Sequence, residues 1–140
     1  MAVQVFKFAH TTELFVAHGL NWLSDNFSLH LLDSGYSFND AHTEFAQLSG
    51  NEVVDGSYSS EQLANKSSTV EGLFADPVVF TSLNATFRYG VLVANGVFDS
   101  KTDPPLVLIL FDDTPADISV PAVDYTVPWN TNGVFSLVDD

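Results

Sequence analysis

The sequence predicts a mainly β protein: an antiparallel β-sandwich or barrel-like single domain spanning residues 1–140, with one short N-terminal helix. Three observations predict it. Apolar or alternating runs of strand length recur along the chain, separated by Gly, Pro, Asn and Asp. A convincing helical period occurs only near the start. A hydrophobic fraction of 46%, with 13% aromatic residues, gives a 140-residue chain enough apolar surface for a real core.

Taken in order, Val3 to Phe8 is apolar on both alternating faces apart from Gln4 and Lys7. Such a terminal segment is either buried in its own domain or extends as a contact arm, residues 1–9, that adds a strand to a partner. A helix is expected from Thr12 to His18. Thr11 or Thr12 is the cap, Glu13 sits in the electropositive first turn, and Leu14, Phe15 and His18 recur at helical spacing. Gly19 supplies the left-handed stop and Leu20 packs back on the last turn. A second brief turn is expected from Asp40 to Leu48, capped by Asn39, with Ala41, Phe45 and Leu48 on one side.

Phe27 to Leu31 alternates apolar and polar before the turn residues Asp33-Ser34-Gly35, which predicts a strand with one buried and one wet face. Gly50 to Ser68, rich in Ser, Gly and Asn, reads as a long surface loop. Val78 to Phe80 and Thr86 to Val93 are expected to be neighbouring strands joined through Leu83-Asn84-Ala85. Asn95-Gly96 is a hairpin turn, since both residues accept positive φ. Thr102-Asp103-Pro104-Pro105 is a stiff link into the buried strand Leu106 to Phe111. The last quarter holds three short strands, Ile118 to Val120, Tyr125 to Val127 and Val134 to Val138, the final two joined by Asn132-Gly133. Pro121 and Pro128 place them at a sheet edge or after a bulge. The expected core comprises Leu29, Leu31, Phe80, Phe87, Val91, Leu108, Leu110, Val127 and Phe135.

Charge excludes some functions. Eighteen acidic residues against four basic ones give a formal charge of −14, which repels nucleic-acid backbones and anionic membranes. With no cysteine, there is no disulfide, thiolate metal site or cysteine nucleophile. The first residues lack the basic and apolar regions of a signal peptide, and no run is long enough to span a membrane as a helix.

Chemical motifs are sparse. His10, His18, His30 and His42 lie at spacings that match no tetrahedral ligand pattern. Asp112, Asp113 and Asp117 have the oxygen donors of a cation site, but their cluster also reads as a solvated turn. The serines sit in neither a Gly-x-Ser-x-Gly elbow nor a Ser-x-x-Lys motif, and no glycine loop is suited to phosphate. Neither catalytic residues, nor a resident metal, nor a cofactor is therefore expected.

Four ordered blocks carry a resemblance. They are Asn51-Glu52-Val53-x-x-Gly56-x-Tyr58, Leu63-Ala64-Asn65-Lys66, Asn84-Ala85-Thr86-Phe87-Arg88-Tyr89-x-Val91-Leu92, and Val127-Pro128-Trp129-Asn130-x-x-Gly133-Val134-Phe135-Ser136-Leu137. With the opening helix, Gly19, Leu20 and the strand at Phe27, the chain resembles small structural proteins of tailed bacteriophages, often described as head decoration or cement proteins. Pro104-Pro105, Pro128 and Asp139-Asp140 depart from that pattern. The resemblance implies a virion protein of the phage head, made in the host cytoplasm, with the major capsid protein as partner and a homotrimer as the common assembly. It implies neither enzyme activity nor nucleic-acid or membrane binding. The contact candidates are then Val3, Val5, Phe6 and Phe8 at the start and Val134, Phe135 and Leu137 at the end. The competing reading is a minor tail or receptor-binding module of the virion.

Overall fold

The structure, a computed structural model, describes residues 4–70, 72–111, 116–127, 129 and 133–135. In chain order its elements are β1 (Gln4–Lys7), α1 (Thr11–Ala17), β2 (Phe27–Leu32), two 3-10 turns (Phe45–Gln47 and Ser49–Asn51), β3 (Glu61–Gln62), β4 (Ser67–Ser68) and β5 (Leu73–Phe74). They continue with β6 (Val79–Phe87), β7 (Tyr89–Ala94), β8 (Val97–Phe98), β9 (Lys101–Thr102), β10 (Pro105–Leu110) and β11 (Ile118–Thr126). The fold is mainly β and every described strand pair is antiparallel.

A five-stranded sheet in the order β1-β10-β7-β2-β3 forms the centre, and a β11-β6 ribbon forms the second layer. Because side chains alternate across a sheet, β2 sends Phe27, Leu29 and Leu31 to one face and Ser28, His30 and Leu32 to the other. The first face joins Leu92, Ile109 and Phe111 of the sheet to Phe80, Leu83, Phe87 and Val120 of the ribbon in the main core. The opposite face carries Leu32, Val91, Val93 and Leu108 under Phe8, Tyr36 and Leu48. Both faces are therefore covered, one by the ribbon and one by the chain between β2 and β3. All nine expected core residues are buried.

The helix forms one residue earlier than expected, and its cap differs. Thr11 is fully buried and its hydroxyl donates to the Leu106 carbonyl at 2.6 Å, tying α1 to β10. His10 occupies the cap position without a capping side-chain bond. At the other end Gly19 takes φ +78°, and the amides of His18 and Leu20 both donate to the Leu14 carbonyl. Asn39 caps a turn as expected, through the Ala41 amide. The residues that follow form only 3-10 turns, because Glu44 and Gln47 close a capping box around Phe45.

Several expected boundaries move. Residues 83–85 do not form a connection: β6 runs unbroken through them, paired to β11. The two strands expected as neighbours, β6 and β7, lie in different sheets, and the chain changes layer at Arg88, whose amide donates to the Leu32 carbonyl. Directly after that switch, Gly90 lets the Phe111 ring approach so closely that a Cβ would lie 2.7 Å from it. The tight hairpin tip is at Asp99-Ser100, both at positive φ, joining β8 to β9. Asn95-Gly96 instead marks where β7 leaves the sheet. The strands expected at 118–120 and 125–127 are one strand, β11, with register shifts after Pro121 and Val123. The bulge accounts for the proline.

Residues 4–8 do not extend as an arm. Val5 pairs with Ile109, and Phe8 is buried with its amide bonded to Leu106. Of the expected last strand, Val134 and Phe135 are buried and Phe135 bridges to Leu73; residues 136–138 lie outside the described residues.

Phe87 packs edge-on against Phe111 and Tyr125, at centroid distances of 5.6 and 5.2 Å. Truncation of Phe87 to Ala should cost about 3–5 kcal/mol, read as a lowered midpoint in urea unfolding with little change in slope.

Candidate functional site

The second face of β2 was expected to be wet, and it is not. Ser28 is 2% exposed and His30, two residues on, lies on the same face under Phe45, whose ring centroid is 4.3 Å from the imidazole. Polar groups covered in this way must find partners inside the protein, and they do so in a continuous chain of bonds.

Gln62 donates to the Asn95 Oδ1 at 3.1 Å, and the Asn95 Nδ2 donates to Ser28 Oγ at 3.0 Å. Ser28 Oγ lies 2.8 Å from His30 Nε2, and His30 Nδ1 lies 2.6 Å from Glu52 Oε2. The same carboxylate oxygen accepts the Tyr58 hydroxyl at 2.6 Å, while the Tyr58 oxygen accepts the Leu31 amide at 3.0 Å. His30 Nδ1 donates to the Glu52 carboxylate, which closes the chain between β2 and the loop. Burial by itself raises the Glu52 carboxyl; the bonds from His30 and Tyr58, and the His30 charge, outweigh it and hold the carboxyl below its ordinary value. Burial, with the Glu52 bond, pushes the Tyr58 hydroxyl well up.

The order serine, histidine, carboxylate is that of an acyl-transfer relay. Here it is closed: the Ser28 hydroxyl is shut from solvent and already accepts a hydrogen from Asn95. What the arrangement does is bind the loop after Ser49 to β2. Three of the residues quoted for the phage resemblance serve as braces of this kind. Glu52 and Tyr58 belong to the chain just described, and Asn51 joins Asp33 through its side chain at 3.1 Å. The expected surface loop 50–68 thus carries the partners of a buried strand. The legible signal was Ser28-x-His30, two polar residues placed by strand alternation on one face.

The other histidines stand apart. His42 meets the Tyr36 hydroxyl at 3.0 Å. His18 lies 3.4 Å from Glu13 and 3.5 Å from Asp99. His10 has both ring nitrogens buried without a partner, and burial, with Lys101 nearby, lowers its proton affinity. Asp117 pairs with Arg88 at 3.0 Å; Asp112 and Asp113 lie outside the described residues. Among the described residues no group of three or more histidines and acids is placed to hold a metal, and no helix is long and apolar enough to cross a membrane.

The contact candidates separate into two sets. Val5 is half-buried against the core, and Phe8, Val134 and Phe135 are buried within it; Val3 and Leu137 lie outside the described residues. Phe6 alone remains at the surface, 42% exposed, beside Phe38 at 41%, with ring centroids 6.1 Å apart. Phe6 belongs to β1, an outer strand of the five-stranded sheet, and Phe38 lies beside it. In the β11-β6 ribbon, β11 is broken by its two register shifts and by Ala122 at φ +59°. A shallow depression of roughly 450 Å³ on the ribbon is lined by Asn84, Ala85, Thr86, Ser119, Val120 and Pro121, without a charged side chain.

No family model, curated protein or solved structure matches this chain.

Replacing Glu52 by Gln should lower stability by about 1–3 kcal/mol near neutral pH, by removing the charged acceptor of two donors. Glu52 has a folded pKa below its ordinary 4.5, so its contribution is complete above that value and is lost as pH falls through the lower folded value. Urea midpoints of parent and variant should therefore differ most near neutral pH and converge as pH falls through the lowered value of Glu52.

Proposed function

We propose that this chain is a non-enzymatic structural protein of a tailed-phage particle, a decoration protein that binds the outer face of the assembled head. The observation that carries the reading is the exposed Phe6–Phe38 pair beside β1. Large aromatics that stay at the surface of an otherwise well-buried sheet edge are suited to contact with another protein. The ordered blocks that resemble phage decoration proteins supply the identity of the partner, the major capsid protein. A closed relay with no reachable hydroxyl suits a scaffold rather than a catalyst.

The contact differs from an extended arm. Because residues 4–7 belong to the sheet, the domain docks as a rigid body, with β1 and the Phe6–Phe38 pair as the approach edge. Rigid docking loses little chain entropy on binding. A homotrimer would place three such edges on neighbouring capsid subunits. A protein that binds only the assembled lattice must stabilise that lattice, and here it would do so against the outward pressure of packaged DNA.

Empty expanded heads of the virus that encodes this chain provide the test. Shells without the protein should rupture at lower temperature, and adding it back should restore the difference. Phe6→Glu, a surface change that leaves the core intact, should weaken shell binding by about tenfold or more by placing a charge in the contact. Equal rupture temperatures with and without the protein would overturn the reading, and recovery of the protein only with detached tails would favour a tail module.

Charge adds a second expectation. Each copy carries −14, so assembly brings like charges together and salt screens their repulsion. The trimer should tighten as ionic strength rises from low to moderate, as followed by sedimentation; dissociation with added salt would point to intersubunit ion pairs instead.

A further inference from the structure

The loop from Ser49 to Gln62 contains no fully buried residue, although Leu48 before it and Leu63 after it are both buried. Its apolar anchors are two partly buried side chains, Val53 and Tyr58, the latter lying over Phe80 at 6.0 Å. Val54, at its crest, is 97% exposed. Even so, this loop covers the outer edge of β2 beyond the point where the two residues of β3 stop pairing. It does so with few bonds. The Asp33 amide donates to the Asn51 carbonyl at 2.8 Å and the Val53 amide to the Leu31 carbonyl at 3.0 Å. The Leu31 amide, which a neighbouring strand would ordinarily satisfy, donates to the Tyr58 hydroxyl.

One side-chain oxygen joins this cover to the polar face of β2. Glu52 Oε2 receives His30 Nδ1 from the strand and the Tyr58 hydroxyl from the loop, both at 2.6 Å. The charged carboxylate is a strong acceptor for two donors together; a neutral carboxyl is a much weaker one. We infer that Glu52 is an acid-released latch, which keeps residues 51–58 against β2 while ionised and frees them, uncovering the β2 edge, when it is protonated.

The groups facing Glu52 agree on the direction. His30 on β2 faces Glu52 through Nδ1 and Ser28 through Nε2. Tyr58 stays protonated, its hydroxyl being strongly raised by burial and by Glu52. Glu61 on β3 acts on Tyr58 in the same sense. Phe45, the remaining neighbour of His30, is apolar. Since its bonds hold the Glu52 carboxyl below its ordinary value, the latch stays shut at neutral and mildly acid pH and opens only as pH falls through that lowered value. The opened form presents a second strand edge, able to pair with another chain. This inference stands apart from the proposed function, because the latch lies on β2 and β1 takes no part in it.

Amide hydrogen exchange on the full chain tests it. The reporters are the amides of Leu31 and Val53; the references are Phe8 and Ala94, bonded to the Leu106 and Pro104 carbonyls away from the loop. After correction for intrinsic rates, protection at the reporters should fall by about tenfold or more relative to the references as pH is lowered from about 6 through the acid titration of Glu52. In Glu52→Gln that loss should already be present at pH 6 and should no longer depend on pH. In Tyr58→Phe, Leu31 should lose protection at every pH, while Val53 keeps its acid-dependent step. Reporters that track the references throughout the wild-type series would overturn the inference, as would an unchanged acid step in Glu52→Gln. Should Glu52→Gln lose the reference amides as well, the wild-type series and Tyr58→Phe decide the matter in the same way.

Discussion

A sheet covered on both faces cannot leave a polar residue unsatisfied on either, and most of this molecule follows from that constraint. The faces are not equally apolar. Toward the ribbon, β2 presents Phe27, Leu29 and Leu31, and packing needs only shape. Toward the other side it presents Ser28 and His30 among leucines and valines, and these need partners of fixed position and direction. Glu52 and Asn95 supply them from two separate stretches of chain, and Tyr58 and Gln62 hold those two in turn. The loop that contributes Glu52 and Tyr58 has little other reason to lie where it does.

The second organising feature is the change of layer at Arg88. One residue separates a nine-residue strand in the ribbon from a six-residue strand in the sheet, so the two layers are joined covalently at their tightest point. Phe87 enters the core from one side of this switch. On the other, Gly90 opens the space into which Phe111 fits. The three rings of Phe87, Phe111 and Tyr125 meet edge to face, an arrangement that favours one relative orientation of the layers. Burial raises the Tyr125 hydroxyl to about 12, so this cluster carries no charge at ordinary pH.

The edges of the two layers are treated differently. β11 is bent by bulges and by Pro121, devices that discourage pairing with another chain. At β1 the neighbourhood is aromatic instead, with Phe6 and Phe38 at the surface. That contrast is the physical basis for placing the proposed contact at β1. It also explains why the final residues with described positions, Val134 and Phe135, are poor candidates: both are spent inside the core.

The sequence by itself determined the class of fold, the helix with its Gly19 stop, and the core. Each rests on a local pattern: period, turn chemistry, or an apolar run such as Leu106 to Phe111. Leu29, Phe87 and Leu108 were legible because alternation places a side chain relative to its neighbours two residues away. Tertiary structure decided which strands pair, since neither the split between β6 and β7 nor the continuity of β6 through Asn84 is written in local propensity. It also decided that Ser28 and His30 face inward. Alternating polar residues read as a wet face when nothing is known of what lies opposite; here the partners stand 22 to 67 positions away along the chain. Hydrogen bonds between such distant groups depend on how the loops return, and that depends on the packing of the whole sheet.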